Sequence, residues 1–210
     1  MVSRLSAVLL DALAVLSPVD CAGCGGPDRS LCPACRAALE PEVTPRGLAK
    51  GFTVFTALRY EGVPRRTLLA FKEGGRTDVV PALAAAFAPA LARAARPDAE
   101  FLAIPTSRAA WRRRGFDPVA LLCKRAGYSQ AGVLRSVRAT QSQKTLGSDD
   151  RAANLRGSMR ARTSLAGRRF VLIDDVVTTG ATFAEAARAV EAAGGEVVGG
   201  AALAFTPRLY

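Results

Sequence analysis

Residues 170–182, Phe170-Val171-Leu172-Ile173-Asp174-Asp175-Val176-Val177-Thr178-Thr179-Gly180-Ala181-Thr182, constrain this chain more than any other segment. Phe170–Ile173 is a short apolar run of the kind that forms a buried strand, and Asp174-Asp175 is expected to end it. Thr182–Ala193 then reads as a helix closed by Gly194-Gly195. A strand, two carboxylates and a hydroxyl-rich turn into a helix place charged groups beyond the carboxyl end of a strand, where open α/β sheets bind ligands. A helix N-terminus offers free N–H groups and partial positive charge to a phosphate. Gly180 permits close backbone approach, and Thr178, Thr179 and Thr182 add hydroxyls. The carboxylates would repel that same phosphate, so they suit sugar hydroxyls or a hydrated divalent cation. The turn therefore asks for a ligand with both a diol and a phosphate, as in ribose 5-phosphate. It is not a P-loop, because no Gly-Lys-Ser/Thr follows.

Strands and helices alternate through most of residues 52–205, which argues for a parallel α/β sheet with crossover helices. Phe52–Tyr60 and Val197–Phe205 read as strands, and Phe101–Ile104 as a buried one stopped by Pro105. Helices are expected from Pro64 to about Phe71, over Val79–Ala95, and over residues 112–127 once past Gly115. Residues 37–50, with Pro41, Pro45 and Gly47, read as a linker, and residues 138–165 as polar and without periodicity. Leu5, Val8, Leu9, Ala12, Leu13 and Leu16 lie on one face of an amphipathic helix over residues 4–17. The expected division is a helix at 1–19, a cysteine module and linker at 20–50, and an α/β domain at 51–210.

The net charge of +11 is concentrated. Residues 101–170 hold 15 basic and 3 acidic side chains, Asp117, Asp149 and Asp150, while the remainder nets −1. Such a field suits polyanions, either phosphorylated small molecules or nucleic acid, or else a solvated face in an Arg-biased chain. The chain has no histidine, which excludes a Ser-His-Asp site, His-ligated metals and imidazole proton shuttles.

Cys21-x-x-Cys24 and Cys32-x-x-Cys35 are separated by seven residues and suit tetrahedral thiolate binding of zinc. Four thiolates leave no open position, so the zinc would be structural. Residues 5–16 are apolar but interrupted by Asp11, no small-x-small cleavage site follows, and no uncharged run reaches membrane-spanning length. A reduced, cytoplasmic protein without membrane insertion is expected. Cys123, beside Leu121 and Leu122, reads as a small buried residue.

Residues 170–182 resemble the phosphoribosyl-diphosphate signature of type I phosphoribosyltransferases. By that resemblance Asp174 and Asp175 would contact the ribose hydroxyls, and Val177, Thr178, Thr179, Gly180, Ala181 and Thr182 would wrap the 5-phosphate. The four-Cys module, Phe71-Lys72-Glu73-Gly74-Gly75, Ile104-Pro105, Arg114-Gly115-Phe116-Asp117, Thr140-Gln141, Arg151 and Asn154 extend the likeness to the ComF family, over about residues 16–207. This implies a zinc-ribbon-like head on a type I phosphoribosyltransferase fold, and a link to DNA uptake. The chain departs from the family's pattern at Asp117, where Asn is expected, and at Thr106-Ser107-Arg108.

Transfer of phosphoribose develops positive charge at the anomeric carbon and negative charge on departing diphosphate, so it needs positioning and charge neutralisation rather than a covalent nucleophile. Mg²⁺, which keeps most of its waters, would bridge the diphosphate. Thr106, Ser107 and Arg108 are the candidate diphosphate contacts. Residues 138–156 read as a flap, with Lys144 and Arg151 as its cationic contacts beside Gln141, Gln143 and Asn154. Lys72 either reaches the pocket or caps a helix. Arg112-Arg113-Arg114 faces the leaving group, a nucleic acid strand or solvent. The expected function is a phosphoribosyltransferase with an unidentified acceptor. The alternative is a non-catalytic module that senses ribose phosphate or binds single-stranded DNA or a DNA-processing partner.

Overall fold

The structure is a computed structural model that describes residues 19–27, 29–48, 51–137 and 155–207. The expected helix over residues 4–17 lies outside them, as do Lys144, Arg151 and the rest of the expected flap up to Asn154.

Five strands form one sheet in the order β1-β2-β7-β6-β3. They are β1 (Thr44–Gly47), β2 (Thr53–Arg59), β3 (Glu100–Ala103), β6 (Arg169–Val177) and β7 (Glu196–Phe205). All neighbours run parallel except β1, which is antiparallel to β2. Such a sheet needs cover on both faces. Helices α1 (Pro33–Ala37), α2 (Gly62–Lys72), α3 (Val80–Ala94), α4 (Arg108–Arg114), α5 (Pro118–Arg125) and α6 (Ala181–Glu191) alternate with the strands. A second, two-stranded antiparallel sheet joins β4 (Leu134–Ser136) to β5 (Met159–Ala161). The expected α/β class with a mostly parallel sheet is what the chain forms. Among the described residues no helix is long and apolar enough to cross a membrane.

Side chains of β6 alternate between two cores, as strand geometry requires. Val171 and Ile173 join Leu68, Phe71, Leu83, Phe87 and Leu122 on the face covered by α2, α3 and α5. Phe170 and Leu172 join Phe183, Ala186 and Val190 of α6 and Leu134 and Met159 of the small sheet on the other face. The cysteine module packs on the first core through Cys21, Leu31, Cys35 and Leu39, all buried.

Three expectations are corrected. The acid pair does not end the strand, because β6 runs on through Asp174 and Asp175 to Val177. Pairing with β7, Asp174 with Ala202 and Val177 with Phe205, carries the acids despite their poor strand propensity. The segment read as a linker contains β1, in which Pro45 and Gly47 sit on an edge strand, the place where a sheet tolerates them. Helix α4 also begins earlier than expected, because the Ser107 hydroxyl accepts from the Ala110 N–H at 3.2 Å and caps it.

Candidate functional site

The two edges of β6 stop at different heights. On one edge β3 ends at Ala103, opposite Ile173, and the chain turns away at Pro105. On the other edge β7 stays paired as far as Val177. Asp174–Val177 thus borders a crevice where the chain leaves β3 and β6 toward opposite faces, the arrangement that forms ligand sites in open α/β sheets. A cavity of about 400 Å³ opens there, and its wall includes Asp174, Asp175, Thr178, Thr182, Thr106 and Ser107.

Strand alternation gives the two acids different surroundings. Asp175 follows Val171 and Ile173 onto the α2 face, where Lys72 Nζ lies 2.6 Å from its Oδ2. Asp174 lies on the α6 face, and its Oδ1 accepts from the Asp175 N–H at 2.8 Å. Burial pushes the Asp174 carboxyl well above the usual range, to about 8; the charge of Asp175 adds to this, and Lys72 opposes it. One acid is therefore neutralised by a cation, and the other holds its proton or awaits a partner.

Two features call for an anion. Helix α6 is preceded by Gly180, at φ +81°, and has no side-chain cap from that residue; only Thr179 Oγ1 reaches its first N–H, at a long 3.4 Å. Helices α4 and α5, by contrast, are capped by Ser107 and by Asp117, whose Oδ1 accepts from the Ala120 N–H at 3.0 Å. In addition, Arg114 lines the cavity with its side chain only 12% exposed. One of its amino groups binds Glu73 at 2.7 Å, but its buried Nε–H has no partner among the described residues. A buried donor without a partner is costly, and a ligand oxygen that reached it would relieve that cost.

The expected residues divide accordingly. Asp174, Asp175, Thr178, Thr182, Thr106 and Ser107 come together on one cavity. Arg108 instead lines a neighbouring cavity of about 490 Å³, which shares Ile104, Pro105 and Thr106 as its wall. Val177 is buried in the α6-side core, which leaves only its backbone for a ligand. Thr179 is exposed, and its Oγ1 accepts weakly from the Ala181 N–H at 3.4 Å. Gly180 is buried, and a Cβ there would lie 2.8 Å from Leu48 Cδ2. Tyr60, at the end of β2, also lines the cavity, and nothing in the sequence signalled it.

The other cluster is the cysteine module. Sγ atoms of Cys21, Cys24, Cys32 and Cys35 all lie within 4.8 Å of one another, and none is in a disulfide. The Cys24–Cys32 Sγ separation is 3.8 Å. A tetrahedral site with metal–sulfur bonds of about 2.3 Å has edges of about 3.8 Å, so the spacing fits a metal ion. The thiols are electrostatically unequal. Burial pushes Cys35 up to about 12, and its sulfur neighbours reinforce this. Burial also opposes ionisation of Cys21, but N–H groups of Cys32, Cys24 and Gly23 outweigh it and lower that thiol to about 6. A dication would hold all four as thiolates.

Residues 113–210, which hold Arg114 and the whole acidic turn, match the family model of the phosphoribosyl transferase domain. The matched segment is just under half of the chain. The chain is similar to DNA utilization protein YhgH of Escherichia coli K12, with 39% identity over 82 residues covering 36% of each protein. The corresponding protein of Salmonella typhi is 38% identical over 87 residues, covering 39% of this chain and 38% of that one. The match thus spans little more than a third of these curated relatives. Among solved structures, adenine phosphoribosyltransferase of Leishmania tarentolae aligns over 65% of this chain and 74% of its own, with a TM-score of 0.34 and 16% identity.

Proposed function

We propose that this ComF-like chain binds phosphoribosyl diphosphate with Mg²⁺ in the cavity at the end of β6 and transfers the phosphoribosyl group to a nucleophilic acceptor, releasing diphosphate. The observation that carries this reading is the 400 Å³ cavity, which sets acids against anion-seeking donors. Asp174 and Asp175 take the ribose hydroxyls. The uncapped start of α6, with Thr178 and Thr182, takes the 5-phosphate. Arg114 Nε, with Thr106 and Ser107, takes the diphosphate. Lys144 and Arg151 close on the leaving group as the expected flap. A bound Mg²⁺ would supply further neutralisation of the leaving group. Because Asp175 is paired with Lys72, Asp174 is the carboxylate available to that cation or to a hydroxyl. In the reaction the anomeric C–O bond to diphosphate breaks, a bond from the acceptor's lone pair to that carbon forms, and the acceptor's proton passes to solvent. The chain's part is to hold the donor and offset charge as it develops. The four cysteines hold a structural zinc.

Calorimetric titration of the folded protein with phosphoribosyl diphosphate tests the donor site. Binding should require Mg²⁺ and vanish in the Asp174→Ala, Asp175→Ala double variant. No binding by the wild type would rule the donor site out. Diphosphate release across a panel of nucleobases and amines then tests for transfer and identifies the acceptor class.

A second reading, of a DNA-handling module with or without turnover, draws on the name of the DNA utilization proteins it resembles and on one surface. Arg135 and Arg160 face each other across β4 and β5. Arg135 and Arg162 line the second cavity with Arg108, and no carboxylate pairs with any of these among the described residues. Like charges directly opposed in a sheet cost stability, and a polyanion would relieve them. Single-strand binding that weakens steeply with salt, and is lost in Arg135→Ser plus Arg160→Ser, would support this reading. A flat salt response would remove it.

A further inference from the structure

We propose that Lys72 is the positioning residue of this donor site and that α2 transmits the state of the four-cysteine module to it; the proposal rests on the donor-site reading above. The contacts run unbroken from one site to the other. Gly23, between the first two cysteines, packs so closely that a Cβ there would lie 2.6 Å from Cys35 Sγ and 3.0 Å from Val63 Cγ1. This seats the module directly on the first turn of α2. One turn further along, Arg66 Nε donates to the Gly23 carbonyl. Just beyond the helix, Arg76 Nη1 donates to the Asp20 carbonyl at 2.9 Å, while Asp78 holds the same guanidinium through two bonds of 2.9 and 2.7 Å. The module is thus fastened near both ends of one helix about 16 Å long.

That helix has little freedom of its own. Thr67, Leu68 and Phe71 are fully buried, and the Phe71 ring stacks 5.3 Å from Phe116. Its last residue is Lys72, on Asp175 at 2.6 Å. The next residue, Glu73, binds both Arg113 and Arg114 at 2.8 and 2.7 Å. The end of α2 therefore fixes an acid on β6 and the arginine across the cavity from it. The pair matters because the ligand is a polyanion. Without the ammonium, two adjoining carboxylates would face a diphosphate across a low-dielectric gap, and Asp175 would lose the contact that aims it. With it, one of the two charges is cancelled and the other carboxylate is left to the sugar or a cation.

Two measurements decide the proposal. In calorimetry, Lys72→Met should weaken phosphoribosyl diphosphate binding at least tenfold, and Lys72→Arg should return it to within about threefold of wild type. Melting temperatures of both variants would establish that they are folded. Rescue by the other cation separates charge placement from mere packing. Independently of any donor, Lys72 should acylate more slowly than exposed Lys124 with a lysine-directed N-hydroxysuccinimide ester followed by mass spectrometry. Stripping the module's metal with a chelator should speed Lys72 at least threefold and leave Lys124 unchanged. Arg66→Met, with the four thiols intact, should do the same in case stripping unfolds the chain. A Lys72→Met protein that binds the donor as wild type does overturns the positioning role and leaves the donor site standing. Wild type that binds no donor overturns the donor-site reading and the role of Lys72 in it. Lys72 equally reactive in all three proteins overturns the link from the module.

Discussion

The cysteine module and the cavity at the end of β6 sit on the same apolar core but are assembled in opposite ways. The module's four sulfurs come from 15 consecutive residues, Cys21 to Cys35, and a single dication would satisfy them. The cavity draws Lys72, Arg114 and Asp174 from two helices and a strand and Thr106 from the loop after β3, and Lys72 offsets one of its acids within the fold. The first site gathers four thiols that ask for a cation. The second exists without its ligand and is shaped by where strands end. Losing a component should therefore collapse the module but only detune the cavity.

The largest expected effect tests the first half of that contrast. Removing the metal, or introducing Cys35→Ser, should unfold residues 20–39, because structural zinc supplies on the order of 10 kcal/mol to so small a unit. Hydrogen exchange should rise across the module while the amides of β6 and β7 stay protected. Because metal binding displaces thiol protons, and Cys35 is pushed up to about 12, the metal's affinity should fall as pH is lowered. If β6 and β7 lose protection too, the two sites are not separable units of stability.

The same contrast governs what the sequence made legible. Spacing alone identified the module, and residues 170–182 identified the turn, because in both the functional groups are neighbours along the chain. The parallel strands were legible from their apolar runs. The end of β6 was not, since its acids are carried by pairing with β7, where Ala202 lies 28 positions beyond Asp174 and no local propensity reports it. Helix α4 was missed because it buries none of its residues and so shows no apolar period. Lys72 and Arg114 were visible as basic residues, but the sequence could not set Lys72 on Asp175, more than 100 positions away, or place Arg114 Nε without a partner.

At the cavity, a single substitution should strain one turn and spare the module. Gly180→Ala places an L-residue at φ +81° with its Cβ 2.8 Å from Leu48 Cδ2. The backbone term alone costs about 1–2 kcal/mol, and the leucine tip can yield part of the contact. The melting temperature should fall by several degrees and donor affinity should drop, while metal stoichiometry stays unchanged. Loss of metal from this variant would break the separation.

A pH series sharpens the electrostatic side. Asp174, with its carboxyl raised to about 8 in the fold, binds more protons folded than unfolded in the interval between the ordinary aspartate value and 8. Its contribution to stability is therefore fully present below about 4 and is lost as pH rises toward 8. Asp174→Asn, which mimics the protonated acid, should flatten the fall in melting temperature across that window. A parallel fall in the variant would assign the loss to other groups.

The smallest effect concerns the departure from the family's pattern at Asp117. Its side chain caps α5 through the Ala120 N–H, and asparagine caps a helix about as well, so Asp117→Asn should change stability by no more than about 0.5 kcal/mol. Its charge nevertheless reaches the cavity, because Asp117 adds to the pressure that keeps Asp174 protonated, behind burial and Asp175. Removing that negative charge favours the ionised form, so the midpoint for Asp174 should move down. In a titration followed by carboxyl-carbon NMR, Asp117→Asn should shift that midpoint by a fraction of a unit, with the melting temperature unaltered. A stability change without a midpoint shift would make position 117 a capping residue only. The shift alone would show that the family's pattern and this chain differ in the charge presented to the donor site rather than in the fold around it.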